Sequence, residues 1–423
     1  MGTRGSCRGG QGDQTAEMKT IKIELRNLSM GELALALACP DADHAFELDF
    51  ADEPCYPNRI VPLLALADDF RRRGSDIRIR CIPGSYLERV CGPFALGRMS
   101  PESETELPSP FDRVWSFSTA AGQNAIFNAM LMQLTKSAVL GQGVKESFMW
   151  CLNEVMDNVL NHSAPVDEAR GYVMTQFHRK ANCLTVCVFD LGKGLKASLE
   201  GTRFSVSGSY EAILAAVKPG VTSGNGQGNG LWGLRELLAR AQDGTLFIGS
   251  GDAAHRFSPR AEIDGRAHYE PLPGYPGTTL VDFQMKCGSR IDFDGVFGEG
   301  FAPVDLREEA METEDGTVRL RIAELAKGTG TRESAREIRN QAENIIDNES
   351  KRVLLDFDAV SGCSSSFVDE LVGKLLAKYG FLAFTQAVVL RNVAGMSAQL
   401  VNRSIAQRLS GFADGRSELA MGG

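Results

Sequence analysis

The chain lacks any apolar run long enough to cross a membrane, and its first residues are rich in Gly, Arg and Gln where a signal peptide would need an apolar stretch. We therefore expect a cytoplasmic protein that does not contact a membrane. An excess of positive charge is also lacking. The net charge of −9 argues against broad binding to nucleic acid, which requires clustered Lys and Arg.

Metal-ligand spacing is lacking among the cysteines. They include no CxxC pair, and no His lies at zinc-finger spacing from them. The sequence favours reduced and mostly buried thiols. The ten cysteines are spread along the chain: Cys7, Cys39, Cys55, Cys81, Cys91, Cys151, Cys183, Cys187, Cys287 and Cys363.

The length of 423 residues, with 43% apolar and 23% charged residues, is enough for two or three packed domains. Residues 1–17 have almost no apolar content and predict a disordered tail. The rest divides by its composition and periodicity into a small α/β module at 18–105, a central domain at 106–290, a Gly-, Asp- and Glu-rich linker at 291–316, a second small module at 317–412 and a tail at 413–423.

The two small modules have the same order of strand, helix, glycine and strand. Residues 48–52 (LDFAD) precede a predicted helix that ends at Arg73 and Gly74, and residues 355–359 (LDFDA) precede one that ends at Tyr379 and Gly380. An internal duplication would explain this pattern. Because glycine commonly follows a helix in any α/β unit, chance similarity is the alternative, and both interpretations stay open.

A helix predicted over 146–161 carries polar residues at a regular interval. Glu154, Asn158 and His162 recur every four residues, so they lie along one face of the helix. A carboxylate one turn before an amide suits a nucleotide site, in which the carboxylate orients a water or hydroxyl and the amide oxygen binds Mg²⁺. Taken alone, the spacing is more typical of a solvated helix face.

An apolar run over 184–189 predicts a buried strand that ends at Asp190 and continues into Gly192 and Gly194. An Asp at the end of a strand can accept a hydrogen bond from an adenine amino group, and the glycines let the backbone approach the ring. An ordinary turn is the alternative, since Asp and Gly are common in turns.

Residues 222–234 (TSGNGQGNGLWGL) form a glycine-rich segment that runs into a predicted helix. Glycines before a helix N-terminus present free N–H groups to an anion. Gly228, Gly230 and Gly233 also match the dinucleotide-binding fingerprint, but that motif must directly follow a strand. Here a polar loop precedes it, so we reject the dinucleotide interpretation. A final strand is predicted near Thr278, over 276–285.

The order of these motifs resembles that of the GHKL (Bergerat-fold) ATPases, a superfamily that includes DNA gyrase B, MutL, a class of chaperones, sensor histidine kinases and anti-sigma-factor serine kinases. The resemblance implies an α/β fold: a central α/β sandwich with helices on one face of a mixed sheet, flanked here by the two small modules. It also implies ATP and Mg²⁺ as cofactors and a mobile lid over 196–227.

The resemblance assigns roles by position. It implies that Glu154 is the catalytic carboxylate, Asn158 the Mg²⁺ ligand and Asp190 the adenine-binding residue. Trp232 departs from the usual GLGL pattern, which leaves the role of Gly233 open. The other implied nucleotide contacts are Gly192 and Gly194 beside the base, Gly228, Gly230 and Leu231 beside the phosphates, and Thr278 in the Gly-Thr motif.

A sensor histidine kinase would need a phosphoacceptor histidine in a dimerising helical hairpin, and none of the five histidines lies in one. The ExxxNxxxH pattern resembles instead the anti-sigma-factor kinase branch, whose partners are STAS-type proteins. Residues 355–371 (LDFDAVSGCSSSFVDEL) resemble a STAS-like domain, and the pattern shared by the two modules suggests a second such module at 18–105. The regulatory phosphoserine of STAS proteins would match Ser365 or Ser366, although serine is also the preferred helix N-cap.

Three functions stay open at this point. The first is a regulatory switch that binds ATP, hydrolyses it slowly through Glu154 and controls inter-domain or partner contacts. The second is a protein serine kinase that modifies a STAS-like serine, and the third is a scaffold that binds ATP without hydrolysis. A regulatory protein partner and a homodimer are expectations that depend on the resemblance alone.

Overall fold

A computed structural model describes residues 18–38, 45–162, 169–222, 229–298, 303 and 305–413. The predicted tail at 1–17, most of the tail at 413–423 and Gly228 lie outside the described residues. The protein has a mixed α/β fold, and its described strands form three sheets. None of the helices in these ranges is both long and apolar enough to cross a bilayer.

The first sheet is parallel, with strand order β1-β2-β3. Its helix α1 was not predicted, whereas α2 ends at Arg72, one residue before the predicted end at Arg73. Ser29 and Ser85 cap α1 and α3 through their hydroxyl oxygens. The elements are β1 (Met18–Ile23), α1 (Met30–Leu37), β2 (Ala45–Phe50), α2 (Pro57–Arg72), β3 (Asp76–Arg80) and α3 (Tyr86–Ala95).

The central sheet has seven strands in the order β4-β5-β6-β10-β7-β8-β9. All its described pairings are antiparallel, where a mixed sheet was expected. The elements are β4 (Val114–Phe117), α4 (Ala120–Ser137), α5 (Val144–His162), β5 (Gly171–His178), β6 (Cys183–Asp190), α6 (Gly194–Leu199), α7 (Ser209–Ala216), α8 (Gly230–Arg240), β7 (Thr245–Ser250), β8 (Ala253–Phe257), β9 (Gly265–Ala267) and β10 (Thr279–Lys286).

The two faces of the central sheet are covered by different parts of the chain. Side chains alternate between the faces along each strand. On β6, Val186 and Val188 belong to the core formed with α4, α5 and α8. Cys187 and Phe189 belong to a second core, which they share with α2 of the N-terminal module. The helices of the central domain therefore lie on one face, and the N-terminal module covers the other.

The C-terminal sheet is parallel, with strand order β11-β12-β13. The predicted linker at 291–316 contains two short helices and the buried residues Ile291 and Phe293. A wider helical turn, Asp369–Gly373, joins α13 to α14, which kinks at Gly380. The elements are α9 (Asp294–Phe297), α10 (Leu306–Met311), β11 (Val318–Arg321), α11 (Ile322–Leu325), α12 (Arg332–Glu349), β12 (Val353–Asp356), α13 (Ser365–Val368), α14 (Lys374–Ala387), β13 (Val388–Arg391) and α15 (Gly395–Ala413).

The two flanking sheets are alike in register as well as in strand order. In the first sheet, Asp49 at the end of the middle strand lies between Lys22 and Arg80 on the neighbouring strands. In the third sheet, Asp356 lies in the same way between Arg321 and Arg391. This match favours an internal duplication, although parallel β-α-β units share their topology generally.

Candidate functional site

A cavity of about 390 Å³ opens between α5, the ends of β6 and β10, α6 and the start of α8. Its volume is within the range of small-molecule pockets. Polar side chains and apolar ones line it together: Trp150, Glu154, Val155, Asp157, Asn158, Val159, Asn161, Val188, Asp190, Gly194, Leu195, Ser198, Leu199, Ala216, Val221, Thr222, Asn229, Gly230, Leu231, Thr279 and Val281.

Helix α5 forms the polar wall of this cavity. Several of its apolar residues, such as Leu152 and Met156, are buried in the core, and polar positions of the other face line the cavity. Glu154 and Asn158 both lie on this wall, one helical turn apart. Burial, and secondarily the charge of Asp157, raises the pKa of Glu154. A carboxylate with a raised pKa is a stronger base than one in water.

The same wall carries two polar residues that we did not predict, Asp157 and Asn161. Asp157 accepts a hydrogen bond of 2.7 Å to Oδ1 from the Nε2 amide of Gln123 on α4. They lie three and seven residues after Glu154 and therefore on the same face of the helix. This spacing in the sequence could have predicted both residues.

Asp190 lies at the far side of the cavity, where β6 ends. Its side chain is buried, and its contacts are neutral donors: Oδ1 accepts a hydrogen bond of 2.8 Å from the backbone N–H of Gly192, and the Thr279 hydroxyl is a second donor. Burial raises the pKa of Asp190 to about 7, and the two hydrogen bonds oppose this shift only partly. A ligand that donates a further hydrogen bond would favour the ionised carboxylate.

The glycines after β6 permit a close backbone contact. Gly194 has φ of 74°, and a Cβ there would lie 2.7 Å from the carbonyl oxygen of Gly277, the second residue before β10. A side chain at this position would therefore separate the two strand ends. Gly192 is not a lining residue, but its N–H fixes the carboxylate of Asp190.

Helix α8 begins against the polar wall. A Cβ added at Gly230 would collide with Oε2 of Glu154, so a side chain at this position would displace the Glu154 carboxylate from its place against the first turn of α8. Asn229 does not cap α8 with its side chain; its Oδ1 accepts from the N–H of Gly220 instead. The free N–H groups of a first turn attract anions. Leu231 lines the same region.

Three predicted site residues lie elsewhere. Thr278 is fully buried and bonds through its hydroxyl to that of Tyr269 at 3.0 Å, so the neighbouring Thr279 reaches the cavity instead. Ser365 and Ser366 belong to the C-terminal module. Ser364 caps α13 by accepting from the N–H of Phe367, which leaves Ser365 exposed and Ser366 half-buried.

The predicted lid at 196–227 contributes α7 and part of α6, and the structure describes it up to residue 222. Ser198, Ala216 and Val221 from this segment line the cavity. These helices were not expected, because the composition of the segment predicted a mobile lid.

Comparison with known proteins identifies one part of the chain. Residues 334–398 match a STAS-like domain of unknown function (DUF4325). The match runs from α12 into the start of α15, so the C-terminal module contains a STAS-like domain. No curated protein and no solved structure matches the chain.

Proposed function

We propose that the central domain is a GHKL-type ATPase and that its nucleotide state regulates contacts of the flanking modules or of a protein partner. One observation carries the proposal: a single cavity collects Glu154, Asn158, Asp190, Gly194 and Gly230, which come from three separate stretches of the chain. The resemblance implies that these residues belong to one nucleotide site, and their common cavity supports that assignment.

The cavity has a suitable group for each part of ATP. Asp190 would accept from the adenine amino group, and the glycine turn beside it leaves room for a flat ring. The first turn of α8 would receive the phosphates. Asn158, beside two carboxylates, offers the oxygen ligand that Mg²⁺ prefers, and the ion would neutralise phosphate charge.

Glu154 is the residue that can promote hydrolysis. Its carboxylate would take a proton from a water molecule as the water oxygen attacks the terminal phosphorus, which yields ADP and inorganic phosphate. The raised pKa of Glu154 strengthens it as a base. The proximity of Gly230, at the start of α8, to Glu154 supports this role, because the first turn of α8 is the proposed phosphate position.

Incubation of the purified chain with γ-labelled ATP and Mg²⁺ tests this proposal. Free phosphate and protein-bound label are both followed, beside the variants Glu154→Ala, Asn158→Ala and the control Asp282→Asn. Asp282 pairs in register with Cys187 and so lies on the opposite face of the sheet from Asp190. Free phosphate that is lost in the first two variants and kept in the control is expected. Equal release by all four proteins would overturn the assignment.

A serine kinase is the second candidate, and the exposed position of Ser365 at the start of α13 favours it. Glu154 would then activate a serine hydroxyl instead of water. Label on the chain or on an added STAS-like protein, lost in Glu154→Ala, would indicate phosphotransfer, and its loss in Ser365→Ala would locate the acceptor. Tight ATP binding with neither free phosphate nor labelled protein would favour the non-hydrolysing scaffold. In that case ATP binding would control the assembly of a homodimer or the binding of a partner.

A further inference from the structure

One loop of the central domain lies between the N-terminal module and the cavity. We call it the strap, and it comprises residues 268–278, between the end of β9 and the start of β10. Tyr269 near its start and Thr278 at its end share a hydrogen bond between their hydroxyls, at 3.0 Å. Leu272 and Tyr275 form an isolated β-bridge and are buried in the core that contains α2. The strap is therefore a folded element whose middle is part of a core.

The strap is anchored on two helices of the N-terminal module. Glu270 lies at the N-terminus of α1, where its Oε1 accepts from the Ser29 hydroxyl at 2.5 Å and from the N–H of Gly31 at 3.1 Å. The hydroxyl of Tyr275 donates to Oδ2 of Asp69 on α2, at 2.5 Å. Asp69 is buried, and hydrogen bonds to an ionised carboxylate are stronger than those between neutral groups. The N-terminal module thus holds the strap at two separate points.

The end of the strap packs against the glycine turn that follows β6. A Cβ added at Gly277 would collide with the carbonyl group of Lys193 and would lie 2.6 Å from the carbonyl oxygen of Gly192. The backbones of the strap and of the turn are therefore in direct contact. Gly194 at the end of the turn and Thr279 directly after the strap both line the cavity. The strap thus connects the N-terminal module with the wall of the cavity that would bind adenine.

A second tyrosine at the same junction provides an internal comparison. Tyr172 on β5 donates to Oδ2 of Asp68, the residue before Asp69 on α2, at 2.8 Å. Tyr172 lies inside a strand that is paired on both sides, so the sheet fixes its position without the hydrogen bond. Tyr275 lies in a loop, where the hydrogen bond to Asp69 helps to determine its position. The two tyrosines contact the same helix, but only Tyr275 belongs to the strap that reaches the glycine turn.

We propose that the N-terminal module sets the affinity for ATP by positioning the glycine turn through the strap, with Glu270 and Tyr275 as positioning residues. This inference rests on the proposed nucleotide site. While both anchors hold, Gly277 keeps the turn in the conformation in which Asp190 can accept from the adenine amino group. Loss of the anchors loosens the turn and weakens binding of the base. Because coupling between two sites is reciprocal, bound ATP in turn stabilises the contact of the strap with the N-terminal module.

Hydrogen exchange of the full chain without nucleotide tests the connection by itself. Two N–H groups report on the turn: that of Gly192 donates to Asp190 at 2.8 Å, and that of Leu195 donates to the hydroxyl of Ser250 at 2.9 Å. Both lie within the peptide 191–199. Their exchange is followed by mass spectrometry of that peptide, because a looser turn exposes both groups to water more often.

The variant that removes both anchors combines Glu270→Gln with Tyr275→Phe, and Tyr172→Phe is the matched control. The double variant keeps the aromatic ring in the core and removes only the charge and the hydroxyl. Its peptide 191–199 should exchange at least fivefold faster than that of the parent chain. The control loses the same hydroxyl group next to the same helix and should exchange at the parent rate.

Calorimetric titration of the same three proteins with ATP and with ADP, each with Mg²⁺, tests the consequence for binding. The double variant should bind both nucleotides at least fivefold more weakly and by the same factor, because the change affects the base and leaves the phosphate position at α8 unaltered. A variant that is partly unfolded would instead show fewer sites per chain at the parent affinity. The control should bind both nucleotides as the parent chain does.

The outcomes separate this inference from the proposed function on which it rests. ATP binding by the parent chain that is unchanged in the double variant would overturn the inference and leave the nucleotide site in place. An equal loss of affinity in the control would also overturn it, because the effect would then come from the junction as a whole. No ATP binding by the parent chain would overturn both the inference and the nucleotide site.

Discussion

The N-terminal and C-terminal modules have the same three-stranded parallel sheet, yet they meet the central domain through different chemistry. The N-terminal module uses apolar packing. Helix α2 is buried on almost all sides, because it lies between its own sheet and the central one, and one continuous core results. Polar contacts add to it: Glu270 accepts from the N–H groups of Met30 and Gly31 at the start of α1, and the hydroxyl of Tyr275 donates to Asp69 of α2.

The C-terminal module uses amides and charges. Asn340, Asn344 and Asn348 form a stripe along α12 that packs against the end of α4 and the turn into α5. Asn344 alone donates to the carbonyl oxygens of Thr135 and Ala138, at 3.1 and 3.0 Å, and accepts from the N–H of Leu140 at 2.7 Å. The carbonyl groups at the end of a helix have no hydrogen-bond donor within the helix. The STAS-like module supplies donors for them.

Charges complete this second junction. Lys145, in the first turn of α5, is buried and forms ion pairs with Asp305, Glu308 and Glu349. A cation at a helix N-terminus is unfavourable by itself, so these carboxylates are needed to hold it there. Hydrogen bonds depend on direction, so the amide and ion contacts fix the orientation of the C-terminal module. Apolar burial therefore dominates the first junction, and directional polar contacts dominate the second.

The largest effect is expected from breaking the apolar junction. Leu64→Ala, at a fully buried position of α2, should lower the free energy of unfolding by about 2–5 kcal/mol, because it removes apolar contacts and leaves a cavity. Denaturant unfolding measures this, and the N-terminal module and central domain should unfold in one transition. Leu35→Ala on α1, where the side chain is 61% exposed, is the control. Independent unfolding of the two parts would contradict a shared core.

The two buried carboxyls of the central sheet give the next effect. Burial raises the pKa of Asp190 and of Asp282 from 3.8 to about 7. The folded state holds these protons more tightly than the unfolded chain, so each carboxyl favours folding at low pH and costs stability as the pH rises through this window. Asp190→Asn and Asp282→Asn should each raise the free energy of unfolding at pH 8, by on the order of a few kcal/mol at most.

Urea unfolding at pH 8 and at pH 4 measures the effect, which should be much smaller at the lower pH, where the carboxyls are protonated in the folded state and partly protonated in the unfolded chain. A variant that is as stable as the parent chain at both pH values would show that its carboxyl is not buried as described. Only Asp190→Asn should also impair the cavity, because Asp282 lies on the opposite face of the sheet.

Breaking the polar junction should cost less than breaking the apolar one. Asn344→Ala leaves Thr135, Ala138 and Leu140 without their partner, and a buried unsatisfied group costs about 1–3 kcal/mol. Hydrogen exchange at the Leu140 amide should accelerate strongly. Asn348→Ala, which removes one hydrogen bond to Leu140, should affect that amide less. Unchanged hydrogen exchange at the Leu140 amide in Asn344→Ala would show that Asn344 does not stabilise the junction.

The smallest effect is expected at Asp157, and this prediction depends on the proposed ATPase activity. Its charge raises the pKa of Glu154, so Asp157→Asn should lower that pKa and move the acidic limb of the kcat profile to lower pH. The rate of phosphate release from pH 5 to 9 measures this. Asn161→Ala changes the same wall without removing a charge and should leave the limb in place. An unmoved limb in Asp157→Asn would mean that the two carboxylates are not coupled.

The sequence predicted the elements better than their assembly. Strands β2 and β12 and helix α2 were recognised from their apolar stretches, and the end of α2 from the glycine that follows it. The place of α2 between two sheets was not predictable, since its all-round apolar composition is equally compatible with burial inside its own module. The stripe of Asn340, Asn344 and Asn348 has the spacing of a solvated face, and only the tertiary contact shows that it is buried.

The residues of the candidate site were likewise easier to predict than their arrangement in space. Glu154, Asn158, Asp190 and Gly230 were named from local motifs, and the fold brings them to one cavity. Thr279 was missed in favour of Thr278, because side chains alternate along a strand and the register of β10 against β6 decides which of the two faces Asp190. That register depends on long-range pairing, which a local motif does not contain.

The central claim is tested most directly by calorimetric titration of the full chain with ATP and Mg²⁺, beside Asp190→Asn and the matched control Asp282→Asn. The account predicts binding at one site per chain in the parent and the control, and at least a tenfold loss of affinity, about 1.4 kcal/mol, in Asp190→Asn. Equal ATP binding by all three proteins, or none by the parent chain, would contradict a nucleotide site in this cavity.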